Sequence, residues 1–188
     1  IIVITCGIKT AYLLGQTNIK FISTGGEAIN KSFSLIGPSA LHTLKAYNAD
    51  ICFVSCHGLS KEGYVTDTSV PENEVRYAIM QQSKRKVLIL DNTKIDNGFW
   101  HNLCSISEFD DVICNAPLPD PVPHKVKNFI LVSLKNEKNN AARRLKTARR
   151  IVRIVPFSPL RSFPPAAYLA GRLSRDRIKD FAEIVRRR

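Results

Sequence analysis

"ADICFVSCHG", residues 49–58, decides how the rest of the chain is read. Its first eight residues form an almost unbroken apolar run, as expected of a strand covered on both faces of a sheet. A cysteine, a histidine and a glycine then leave the run together. Cys56-His57 as a catalytic pair would need the two side chains to meet, and neighbours on a strand point to opposite faces. Cys52 and Cys56 share a face but sit about 13 Å apart by strand rise. No second Cys/His pair completes a zinc site. The expected arrangement is a loop that leaves a strand toward a crevice. There His57 either lines the crevice or is a solvated loop histidine.

Similar runs recur on both sides. "IIVITC" (1–6), "NIKFIST" (18–24), "KVLILD" (86–91) and "DDVICN" (110–115) read as strands, and "HKVKNFILVSL" (124–134) supplies a last one. Between them, "GIKTAYLLG" (7–15) reads as a helix or turn. "GPSALHTLKAYN" (37–48) carries Ala40, Leu41, Leu44 and Tyr47 at helical spacing. "PENEVRYAIMQQSK" (71–84) opens with Pro and acids, which suits a helix start. Strands alternating with helices predict an α/β, Rossmann-like layered fold with a mainly parallel sheet.

Ligands of such sheets sit at the C-terminal ends of the strands. That rule selects Thr5-Cys6-Gly7, Thr24-Gly25-Gly26, Ser55-Cys56-His57-Gly58 and Asp91-Asn92-Thr93-Lys94. Glycines admit close backbone approach, hydroxyls donate, and a lysine brings charge. Together they suit a small phosphate or polyol. Lys94 is either a charge partner for a phosphate or a surface lysine. Asp91 either orients Lys94 or a ligand hydroxyl, or caps its own turn. Glu72 is either a ligand contact or a helix-start acid. Phe99 and Trp100 read as core or interface packing.

The hydrophobic content of 44% is that of an ordinary globular chain, and 188 residues suffice for one core plus an appendage. No apolar run approaches a membrane span, and "IIVITCGIKT" reads as a strand rather than a signal peptide, so a cytoplasmic protein without a membrane partner is expected. Five cysteines, at 6, 52, 56, 104 and 114, show no framework spacing and read as buried free thiols. The formal charge of +12 is local: residues 141–188 hold 12 Arg and 2 Lys against Asp176, Asp180 and Glu183. The body is Lys-, Asn- and Ile-rich; the tail is Arg-, Ala- and Pro-rich. Residues 1–140 therefore read as one domain, and 141–188 as an Arg-rich tail. The tail is either a phosphate-binding arm or an extension of foreign origin. Within it, "ARRLKTARRIVRIV" (142–155) reads as a basic amphipathic helix and "LSRDRIKDFAEIVRRR" (173–188) as a short closing helix.

Residues 1–123 resemble the C-terminal effector-sensing domain of DeoR/GlpR-type bacterial transcription regulators. The resemblance runs through "IIVITCGIKTAYLL", "IKFISTGGEAINKSFSLIGPSAL", "NADICFVSCHGLSKEGYVTD", "PENEVRYAIMQQSKRKVLILDNTKI" and "SISEFDDVICNAPLP". It implies a fold similar to sugar-phosphate isomerases and a phosphorylated sugar or related intermediate as effector, controlling a sugar-metabolism operon. Thr5 and Cys6 stand at the family's strand-end Thr-Asn, with Cys6 in place of Asn. Gly25 and Gly26 are its Gly-Gly. Gly58 opens its exposed loop. Glu72 and Arg76 lie on its helix face, with Arg76 where Lys is usual. Asp91 and Lys94 form its Asp-x-x-Lys. The implied ligand-binding set is thus Thr5, Cys6, Gly7, Gly25, Gly26, His57, Gly58, Glu72, Arg76, Asp91 and Lys94, with no catalytic residue, metal or cofactor. Family members commonly oligomerise, so a homo-oligomer is among the expected partners.

The resemblance starts past the family's helix-turn-helix, its first sensor strand and its Gly-Thr-Thr phosphate loop. The expectation is a truncated sensor that reaches DNA only through a helix-turn-helix absent from this chain, with a strand edge left open to association. Three other readings stay open. One is an isomerase-like enzyme with Glu72, Asp91 and His57 as its acid–base candidates. Another is salt-sensitive nucleic-acid binding by the tail. The last is a truncated, inactive gene product.

Overall fold

The structure, a computed structural model, describes residues 1–132 and the strand Val152–Ile154. The described residues form one seven-stranded parallel sheet. Its strands are β1 (Ile2–Thr5), β2 (Lys20–Ser23), β5 (Ala49–Val54), β8 (Ser83–Ile89), β10 (Asp111–Cys114), β11 (Phe129–Leu131) and β12 (Val152–Ile154), in the order β11-β10-β8-β5-β12-β1-β2. The apolar runs supply its centre: Ile4, Cys52, Val54, Leu88 and Val112 are buried. The α/β, mainly parallel reading is therefore correct.

Three helices cover the sheet. α1 (Ile8–Leu14) packs on β1 and β2. α2 (Pro38–Lys45) starts at Gly37 with a proline in its first turn and buries Ala40 and Leu44. α3 (Val70–Gln81) packs against α2, β5 and β8. Its N-cap Ser69 accepts a hydrogen bond from the Glu72 N–H, and Val75, Ile79 and Met80 face the core. All five cysteines are buried free thiols.

Two small antiparallel sheets were not expected from the sequence. β3 (Glu27–Ile29) pairs with β4 (Ser34–Ile36). β6 (Gly58–Leu59), β7 (Tyr64–Asp67) and β9 (His101–Ser105) form the other, with β7 in the middle. Trp100, read as packing, is 71% exposed and meets His101 edge-on, so it is no part of the core.

The basic helix expected over 142–155 is corrected at its end. Val152–Ile154 is a strand, paired in parallel with β1 through Val3↔Arg153 and with β5 through Ile51↔Arg153. The strand edge expected to stand open on β1 is therefore filled. Two parallel strands with facing unpaired edges offer a full set of backbone donors and acceptors. A β-branched run such as "IVRIV" (151–155) fits a pleated slot better than a helix. The remainder of that segment and the closing helix at 173–188 lie outside the described residues. Arg153→Pro places a ring in the middle of this central strand and is expected to cost about 1–3 kcal/mol. The urea midpoint reads the loss.

Candidate functional site

Because every neighbouring pair in the main sheet is parallel, Thr5, Ser23, Val54, Ile89 and Cys114 all end at one edge. At the end of β1, the Gly7 N–H donates to Thr5 Oγ1 at 3.0 Å, closing a tight turn over the buried Thr5. The Thr24 N–H donates to the Thr5 carbonyl at 3.0 Å, which joins the ends of β1 and β2. The Leu35 N–H donates to the Cys6 carbonyl at 2.7 Å, and Gly7 bridges Ser34. The β3–β4 hairpin is thereby latched onto the strand end and delivers Ser34. Gly26 allows this packing, since a Cβ there would lie 2.2 Å from the Ile36 carbonyl oxygen.

From Ser34 a buried polar chain runs across the site. Ser34 Oγ donates to Glu72 Oε1 at 2.6 Å. Arg76 Nη2 lies 3.9 Å from the same oxygen, one turn along α3. Arg76 Nη1 donates to Asn73 Oδ1 at 2.8 Å and to Asp67 Oδ2 at 2.7 Å. Asn73 Nδ2 lies 2.7 Å from His101 Nδ1. Asp67, fully buried, is the hub. Its Oδ1 accepts from the Thr68 and Ser69 N–H groups at 2.7 and 2.9 Å and lies 2.7 Å from His57 Nδ1. Burial alone would raise the Asp67 pKa. The His57 ring nitrogen 2.7 Å away, the Arg76 charge and the Ser69 N–H outweigh it and hold the carboxyl at about 2. Asp67 is thus a permanent anion at neutral pH, and Arg76 is its counter-ion.

His57 turns toward Asp67 and away from Cys56. Its ring packs edge-on against Phe99, with centroids 5.8 Å apart. Cys56 Sγ donates to the Gly58 carbonyl at 3.3 Å, and burial, opposed by the Arg76 charge, pushes its thiol up to about 12. A thiol in that state supplies no nucleophile at neutral pH. Gly58 is pressed against the Asn97 backbone, and Leu59 bridges Ile95, so the segment after β8 lies along β6.

Asp91 caps, and Lys94 ends, the short turn Asn92–Lys94 that follows β8. Asp91 Oδ1 accepts from the Thr93 N–H at 2.8 Å and from the Thr93 hydroxyl, so this carboxylate caps its own turn. Asn92 and Asn115 exchange hydrogen bonds at 2.7 and 3.3 Å and tie the turn to the end of β10. Lys94 is half-buried and its ammonium has no side-chain partner among the described residues.

Of the residues singled out from the sequence, His57, Glu72 and Arg76 are joined through Asp67. Thr5, Cys6 and Gly7 are tied to them through Ser34. Gly58 brings Lys94 alongside. Gly25 and Gly26 lie between β2 and β3, and Asp91 faces its own turn. Asp67, Ser34, Asn73 and His101 were missed. An acid two residues ahead of a helix cap reads as an ordinary start signal, and nothing local marks the others. Among the described residues no cluster of three or more His, Cys, Asp or Glu side chains could hold a metal, and no helix is long and apolar enough to cross a membrane.

Comparison with known proteins agrees with this geometry. Residues 1–116 match the DeoR C terminal sensor domain. The chain is 30% identical over 124 residues to the HTH-type transcriptional regulator YulB of Bacillus subtilis, covering 65% of this chain and 48% of YulB. It is 25% identical to the L-fucose operon activator of Haemophilus influenzae, over 57% of this chain and 43% of the activator. It is also 25% identical to the glycerol-3-phosphate regulon repressor of Escherichia coli, over 57% of this chain and 42% of the repressor. The chain thus spans about half the length or less of these curated relatives, all transcription regulators by name. A parallel α/β sheet, a polar site at its C-terminal edge and a match over most of the described residues carry one conclusion: the chain belongs to the family of DeoR C-terminal sensor domains.

Proposed function

We propose that this domain binds a phosphorylated sugar or a related phosphorylated intermediate at the C-terminal edge of its parallel sheet. In this reading it serves a cytoplasmic transcription regulator of a sugar-metabolism operon, without turning the ligand over. The observation that carries the reading is Lys94. It is a half-buried lysine with no side-chain partner among the described residues, while the one arginine of the neighbouring network is already held by Asp67. A phosphate supplies the missing anion. Among the relatives, the name of one carries a phosphorylated polyol, glycerol 3-phosphate, and that of another a sugar operon, that of L-fucose, and both names suit this reading.

The test is a thermal melt of the chain with a panel of sugar and polyol phosphates. A ligand that binds only the folded state adds about 2.7 kcal/mol of stability at a hundredfold excess over its Kd. One phosphorylated compound is expected to raise Tm, and Lys94→Ala to weaken its binding roughly 10- to 100-fold through loss of a charge-assisted contact. A panel that leaves Tm unmoved rejects the reading. Conversion of a bound compound to its isomer would place the domain with the enzymes instead.

A further inference from the structure

The geometry points to His57 as the specificity-determining residue that reads a ligand hydroxyl, with Asp67 as the positioning residue that fixes it in that role. The inference rests on the proposed ligand site and adds a second, chemically distinct contact to Lys94.

Asp67 is fully buried, and each of its oxygens is committed. Oδ2 accepts from Arg76, while Oδ1 accepts from two backbone N–H groups and faces His57 Nδ1 at 2.7 Å. An ionised carboxylate only accepts, so this 2.7 Å contact favours the tautomer with its proton on Nδ1. In the neutral ring, Nε2 is then left as an acceptor. It makes no hydrogen bond among the described residues, and the side chain is 20% exposed. Phe99 packs edge-on against the ring, and the Asp67 contact lies on its Nδ1 side. Arg76 contributes indirectly: paired with Asp67 and Asn73, it keeps the hub ionised and is not spent on the ligand.

His57 leaves the end of β5 directly before Gly58, and Leu59 pairs with Ile95 next to Lys94. The strand-end edge therefore presents a donor-only cation and, on the segment paired with the one that follows it, an imidazole Nε2 that accepts while the ring is neutral. An acceptor repels a phosphate oxygen and takes a hydroxyl. The pair selects a molecule that carries both an anionic group and a free hydroxyl. A site built to bond a hydroxyl discriminates strongly against analogues lacking it, because the buried acceptor is then unpaired.

Two measurements on the full chain test this. Long-range proton–nitrogen correlations from the 15N-labelled histidine rings should show His57 with its proton on Nδ1, and Asp67→Asn should shift the ring toward a mixture of tautomers. A proton on Nε2 in the unchanged chain overturns the inference. The second measurement compares sn-glycerol 3-phosphate with inorganic phosphate. The unchanged chain should prefer the ester, His57→Phe should bind it about tenfold more weakly, and His57→Gln, which keeps an acceptor, should restore most of the loss. Phosphate binding should be the same in all three. An ester preference that survives His57→Phe overturns the inference. Should neither phosphorylated probe shift the unchanged chain, the phosphate reading falls, and glycerol decides the hydroxyl contact. A Tm shift by glycerol that His57→Phe abolishes supports it, and no shift overturns it.

Discussion

Asp67→Ala is expected to lower the free energy of unfolding by about 3–5 kcal/mol, because it strands a buried guanidinium. Arg76 is 4% exposed, and its Nη1 is spent on Asp67 and Asn73. Removing the carboxylate also takes the acceptor from two backbone N–H groups at the entry to α3 and the partner from His57. Against a usual total of about 5–15 kcal/mol, such a loss leaves little folded protein at 37 °C. Asp67→Asn keeps the shape and should cost less. Acid titration isolates the charge. The folded carboxyl titrates at about 2 and the unfolded one near its ordinary value of 3.8, so the folded state holds this proton less tightly. The corresponding stability is fully present above pH 4 and is lost as pH falls from about 4 to about 2. The difference amounts to roughly 2 kcal/mol. Urea midpoints at pH 7, 4, 3 and 2 should show that segment of the profile in the unchanged chain and not in Asp67→Asn. A loss below about 1 kcal/mol for Asp67→Ala would mean that Arg76 does not depend on Asp67.

The network that makes Asp67 so costly to remove is the part of the molecule least visible in its sequence. The main sheet was legible because residues 1–6, 49–56, 86–91 and 110–115 each carry a short apolar run, as a strand covered on both faces requires. The strand-end rule then placed Thr5, His57, Gly58 and Lys94 on one edge. The small sheets were not legible: "EAI", "SLI" and "GL" are too short to show alternation, and tertiary pairing alone makes them strands. Ser34 reaches Glu72 across 38 positions, and no local pattern signals a contact of that range. The strand at 152–154 was misread for a related reason. Its arginines and branched residues fit a helical period, while two facing strand edges far away in sequence decide the outcome.

Gly58→Ala is expected to be nearly as damaging, for a steric reason. A Cβ at this position would fall 1.6 Å from the Asn97 carbonyl oxygen and 2.9 Å from the Phe99 ring. Backbone cannot yield as a flexible side chain does, so the segment 95–99 has to leave β6. That movement breaks the hydrogen bond from the Asn97 N–H to the Leu59 carbonyl, 3.1 Å long, and the Leu59–Ile95 bridge. Overpacking of this kind costs about 1–3 kcal/mol, and a backbone clash belongs at the upper end. The consequence for binding goes further. The same segment follows directly from Lys94 and carries Phe99 to the His57 ring, so one added methyl group displaces the neighbours of both proposed ligand contacts. Gly98→Ala is the control. It lies in the same segment, and its Cβ would meet Ser60 at an ordinary 3.4 Å, so its effect should stay within about 0.5 kcal/mol. If Gly58→Ala melts and binds like Gly98→Ala, the close approach of the two segments is not what holds Lys94 beside His57. If Gly58→Ala alone loses both stability and effector response, the glycine is required by the fit of one backbone against another.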